Sequence, residues 1–73
     1  KCILNHYYLN RDITKNPNYN HEVHKSMCRY LPSEQNRIYL GYFSSCAEAI
    51  KAAKMYYYNV DGCAFCCSEC HHQ

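Results

Sequence analysis

SSCAEAIKAAKMYYYN, residues 44–59, is the most sharply patterned stretch of the chain. Ser45 and Glu48 have the spacing of a capping box, in which a serine oxygen and a glutamate carboxylate satisfy free amides of a first helical turn. Cys46, Ala49, Ile50, Ala53 and Tyr57 recur at helical spacing, and the alanines favour a helix intrinsically. The pattern predicts a helix over 46–57, stopping near Asn59 ahead of a turn at Asp61 and Gly62.

Working outward, RIYLGYF at 37–43 reads as a strand, with Ile38, Leu40 and Tyr42 on one face and Tyr39 and Phe43 on the other. Gly41 marks a bulge or a point of close approach. CILNHYYLN at 2–10 reads as a first strand, and HEVHK at 21–25 as a second, with His21, Val23 and Lys25 alternating with Glu22 and His24. Ser26 is placed to cap one helical turn carrying Met27 and Cys28. The Asn/Pro-rich stretch at 15–20 and LPSEQN at 31–36 read as loops. The fold class is α+β: a small antiparallel β-sheet with one helix and a C-terminal cysteine-rich knuckle, in a single domain spanning 1–73.

A chain of 73 residues buries little apolar surface, and its seven cysteines offer the staple such a domain needs. The odd cysteine number argues against a fully paired secreted framework. No signal peptide or membrane-spanning run is read, so a cytoplasmic location and no membrane partner are expected; the alternative is a secreted or periplasmic protein whose leader has been removed. A net charge of +2 without a dense basic stripe disfavours generic wrapping of DNA or RNA. Nine tyrosines against two phenylalanines and no tryptophan supply rigid rings with polar tips, useful in thin cores and on binding faces.

Two pairs carry ligand spacing. His24 and Cys28 form H-x-x-x-C, and Cys63 and Cys66 form C-x-x-C directly after Gly62, where a knuckle turns its amides toward sulfur. Zinc takes four tetrahedral nitrogen and sulfur donors, often as two such pairs, so one zinc per chain on His24, Cys28, Cys63 and Cys66 is expected. A site within the tail on Cys63, Cys66, Cys70 and His71 competes with it. So does a disulfide framework drawing on Cys28, Cys46, Cys63, Cys66, Cys67 and Cys70. Cys2 and Cys46 lie in apolar contexts and read as buried small hydrophobes. His6 and His21 read as ordinary strand histidines, His71 and His72 as a polar chain end, Asp61 as a turn residue and Glu69 as a solvated one.

VHKSMCRYLP, NRIYLGYFSSC, the alanine-rich helix and DGCAFCCSECH together resemble a motif of small uncharacterised bacterial and phage proteins, over about two thirds of the chain. Their order is also similar to the metal-binding domain of the Ada family, where an early ligand pair, a strand, a short helix and a closing C-x-x-C hold one zinc. That resemblance implies His24, Cys28, Cys63 and Cys66 as ligands, the set that spacing also selects. It does not carry over methyl transfer, because the methyl-accepting cysteine of that family falls at His24, which has no thiolate.

Catalysis needs a nucleophile with an oriented base, or a metal with an open position. His24 with Cys28 and Cys70 with His71 are the close Cys/His pairs, and neither has an evident third group beside it, so a non-enzymatic protein is expected. Arg37, Tyr39, Tyr42, Lys54 and Tyr58 are candidate ligand-binding residues, their rings for stacking on a base and their cations for phosphate. The expected function is a zinc-stabilised module recognising a nucleotide or nucleic acid, for example a phage-borne nucleotide trap. The alternative is a disulfide-stapled protein acting through protein partners, and a homodimer through a strand edge fits either.

Overall fold

The computed structural model describes residues 3–14 and 19–72. Four strands, β1 (Asn5–Asn10), β2 (His21–Lys25), β3 (Arg37–Phe43) and β4 (Val60–Gly62), form one sheet in the order β3-β1-β2-β4, with a single α-helix, α1 (Cys46–Ala53). β1 runs antiparallel to both β2 and β3, whereas β4 pairs parallel to β2. The architecture is thus α+β, mostly antiparallel, with its cysteines gathered toward the C-terminal end. Cys2 and most of the loop expected at 15–20 lie outside the described residues.

The core forms where α1 covers one face of the sheet. Tyr7, Leu9 and Val23 enter it from β1 and β2, Cys46, Ala49 and Ala53 from α1, and Cys67 from the tail. Ala49 and Ala53 are fully buried, and their small side chains let the helix axis come close to the sheet. Alternation then puts His6, Tyr8 and Asn10 of β1, and Glu22 and His24 of β2, on the opposite, outer face.

β3 departs from the expected alternation. Tyr7 pairs with Gly41 but Tyr8 with Tyr39, so Leu40 is the extra residue of a bulge. The bulge resets the faces: Tyr39 and Tyr42 both lie on the outer face opposite Tyr8 and His6, while Ile38 and Phe43 pack on the core. Gly41 has φ +143°, and a Cβ there would come within 2.7 Å of the Phe43 ring, so both the torsion and the space call for glycine.

Four further expectations are corrected. The helix ends at Ala53 rather than 57, passing into tightened turns through Met55 and Tyr56, and Tyr57 leaves the helical path to stack on His21 with centroids 3.6 Å apart. Asp61 and Gly62 belong to β4 rather than to a turn. At the helix start, Ser45 accepts from the Glu48 amide as expected, but the Glu48 carboxylate accepts from the amide and hydroxyl of Ser44, one residue earlier than a capping box requires. Ser26 opens a turn, not a helical one.

Cys46 is buried, as expected, but as half of a disulfide to Cys70 that ties the helix start to the tail across 24 residues of sequence. Closing a loop of that length removes about 3 kcal/mol of unfolded-state entropy. The double variant Cys46→Ala, Cys70→Ala is therefore expected to melt roughly 15 °C lower, with metal content unchanged, by calorimetry on the metal-loaded chain. An unaltered melting temperature would show that the bridge carries no stability.

Candidate metal centre

His24 comes from the outer face of β2, Cys28 from the turn that follows, and Cys63 and Cys66 from the knuckle after β4. Because β4 lies parallel beside β2, with Glu22 opposite Asp61 and Val23 opposite Gly62, the two pairs 35 residues apart leave the sheet side by side. Their four ligand atoms all lie within 4.8 Å of one another, a group that could hold a metal ion. The Cys28 and Cys63 sulfurs are 3.9 Å apart. Two thiolates bound to one zinc at tetrahedral angles stand about 3.8 Å apart, so the spacing matches.

The surroundings fit as well. His24 is buried, and among the described residues neither of its ring nitrogens has a hydrogen-bond partner. An orphaned buried imidazole is costly unless something binds its lone pair. Glu22 Oε1 stands 3.8 Å from His24 Nε2, beyond hydrogen-bond reach. Burial holds the imidazole pKa down at about 4, so the ring is neutral and able to donate at neutral pH. Backbone amides point at the sulfurs: Lys25 N–H at Cys66, Tyr30 N–H at Cys28, and those of Phe65 and Cys66 at Cys63.

The thiols lean the other way. Burial raises Cys28 and pushes Cys63 up to about 12, while Cys66 is raised first by its contact with Cys67 and then by burial. They stay protonated at neutral pH until a dication displaces the protons. Binding zinc at pH 7 is therefore expected to release about three protons, and each unit of acidification should weaken apparent affinity by up to about a thousandfold. Calorimetry in buffers of different ionisation enthalpy measures this; release of fewer than one proton would exclude a three-thiolate site.

The tail's other groups have separate occupations. Cys70 is bonded to Cys46, and Cys67 is fully buried with its sulfur 3.9 Å from that of Cys66, outside the four-residue group. His71 Nδ1 lies 3.1 Å from Asp61 Oδ2 and 3.0 Å from the Gly62 carbonyl, and the His72 amide donates to Asp61 Oδ1. Asp61 is thus the orienting group that sequence reasoning did not find for His71, eleven residues from the amide it holds. Nothing local in DGC reveals it. The neighbouring thiol, Cys70, is consumed by the disulfide, so the trio lacks a nucleophile.

The candidate ligand-binding residues fall into two groups. Arg37, Tyr39 and Tyr42 share the outer face, and Arg37 lies 4.9 Å over the ring of Tyr8, which the sequence did not single out. Lys54 and Tyr58 line two cavities of about 250 and 320 Å³ that share Val60, Asp61 and His72. No helix among the described residues is long and apolar enough to cross a membrane. No protein-family model, curated protein or solved structure matches this chain.

Proposed function

We propose that this chain is a zinc-stabilised, non-catalytic binding module for a nucleotide or nucleic acid, acting in the cytoplasm. The observation that carries it is the convergence of one buried imidazole and three thiols on a volume the size of one ion. One nitrogen and three sulfurs suit zinc, and four protein donors complete a tetrahedral set with no open position for substrate, the arrangement of structural rather than catalytic sites. When bound, the ion would tie β2 to the end of β4. The ligand class is supported by exposed tyrosines beside arginine, which offer stacking and phosphate contact together.

A second reading has its own support. The Cys46–Cys70 disulfide favours an oxidising compartment, where a stapled domain would act through protein partners. Metal analysis with a thiol count on unreduced protein separates the two. One zinc per chain with a single disulfide supports the zinc module; no metal and pairing among Cys28, Cys63, Cys66 and Cys67 would overturn it. Thermal-shift titration with nucleoside mono-, di- and triphosphates and with short oligonucleotides tests the ligand class, since bound ligand raises the melting temperature.

A further inference from the structure

From the sheet face opposite α1 we infer a site for single-stranded nucleic acid, in which bases stack on a run of rings and one base edge is read in a cavity beside the metal centre. This rests on the nucleotide-or-nucleic-acid reading above and narrows it to a polymer and a surface. The run is continuous: His6 lies against Tyr42, tilted, with centroids 4.4 Å apart, His6 Nδ1 and the Tyr39 hydroxyl are 2.8 Å apart, and Tyr39 meets Tyr8 at 5.3 Å. Tyr39 and Tyr42 are about half exposed, at 49% and 54%, so each has ring surface open to a ligand. The β3 bulge is what puts these two tyrosines on one face.

Cations flank rings at both ends of this face. The Arg37 guanidinium covers Tyr8, donates to the Pro32 carbonyl at 3.1 Å and has Glu34, whose side chain is 88% exposed, at 3.9 Å. That exposed ion pair is weak, and the fork retains donors for phosphate. Across the sheet Arg29 lies 5.8 Å from the rings of both Tyr30 and Phe65, which meet edge to face at 5.4 Å. Rings open to solvent with arginines beside them match the alternation of base and phosphate along a single strand; a duplex hides its base faces and cannot use the rings.

Between the two groups lies a cavity of about 250 Å³, lined by Asn10, Glu22 and His24 from the sheet and by Tyr30, Cys63 and Phe65 from the turn and knuckle. Among the described residues Asn10 Oδ1 is buried without a hydrogen-bond partner, and Glu22 also lines the space. Among the described residues no arginine or lysine lines it, so it suits a base edge rather than a phosphate. With the Asn10 oxygen as acceptor and ring walls, it takes an amino-bearing base, adenine or cytosine, in preference to thymine or uracil.

Fluorescence anisotropy on the zinc-loaded chain with labelled ~10-nucleotide oligomers, of a length typical for small single-strand sites, tests this. Expected results are binding of oligo(dA) and oligo(dC) over oligo(dT), the same order in the RNA versions, and weak binding of duplex. Tyr39→Ala and Tyr42→Ala should each weaken binding about tenfold with zinc content unchanged. Arg37→Gln should lower the slope of log affinity against log salt by about 0.7, whereas Lys51→Gln on the exposed side of α1 should leave it unaltered. Asn10→Ala should erase the base preference while retaining ring-dependent affinity.

Equal binding of duplex, or full affinity in the double tyrosine variant with zinc retained, would overturn the inference. Binding of free nucleotides with no gain for oligomers would overturn it too, yet leave the proposed function standing. Failure of both classes would remove both. A dimer that dissociates on Tyr39→Ala, with no oligonucleotide bound, would assign the face to a second copy of this chain instead.

Discussion

Chelation of the zinc-loaded chain at neutral pH is expected to abolish its cooperative thermal transition, with most strand signal lost in far-UV circular dichroism. The size of the effect follows from two magnitudes. Structural zinc contributes roughly 10–16 kcal/mol in small domains, and a domain's whole stability is about 5–15 kcal/mol. Here the fully enclosed core among the described residues is seven residues, two of them alanines. The parallel β2–β4 pairing spans three residue pairs, and the metal ligands sit at its end. Without the ion, the buried His24 has no hydrogen-bond partner among the described residues, and the chain relieves it by opening. His24→Ala should lower zinc affinity about a hundredfold or more, since even outer-shell partners are worth 10–100-fold. A chelated chain that melts as before, or a His24→Ala variant with unchanged zinc affinity, would remove the metal centre from this account.

What the sequence reveals follows the range of each interaction. The strand runs at His21–Lys25 and Arg37–Phe43, the start of α1 and its Ser45 cap are written in contiguous residues, and each is read from local pattern. The ligand pairs are legible for the same reason, because H-x-x-x-C and C-x-x-C are short. β4 is not legible: three residues are too few to show alternation, and its strand partner, β2, pairs in parallel across some forty residues. The Cys46–Cys70 bridge is equally hidden, because seven cysteines permit many pairings and composition ranks none of them.

Gly41 illustrates an intermediate case. Its presence inside a strand pattern signals a bulge, but not which residue becomes the extra one. That detail decides the outer face: with regular alternation Tyr39 and Tyr42 would lie on opposite sides of the sheet, and with Leu40 unpaired they lie on the same side. A one-residue irregularity thus converts two scattered tyrosines into neighbours of a common surface. Asp61 shows the opposite limit, where a residue that reads as a turn former is enlisted by the chain end, His71 and His72, through contacts no local pattern encodes.

Gly62→Ala is expected to destabilise the zinc-loaded chain by about 3 kcal/mol, at the upper end of what overpacking a closed interior costs. The argument is steric. Gly62 closes β4 and is buried, and a Cβ built on it would stand 2.7 Å from the Cys67 carbonyl oxygen and 2.9 Å from both the carbonyl carbon and Cβ of Cys70. None of those atoms is the far end of a flexible side chain. Cys67 is held by its amide's bond to the Cys63 carbonyl at 2.8 Å, and Cys70 is anchored by its disulfide to Cys46. The knuckle has to shift as a unit, carrying Cys63 and Cys66 with it, so zinc affinity should fall together with stability. Substituting Ala64, exposed on the same knuckle, with serine should leave both unchanged and controls for handling of the loop. Chemical denaturation and competitive zinc titration read the two quantities separately. If stability falls while zinc affinity holds, the metal ligands are positioned independently of the β4 end; if neither moves, the tail does not pack against Gly62 and the knuckle is not built on β4.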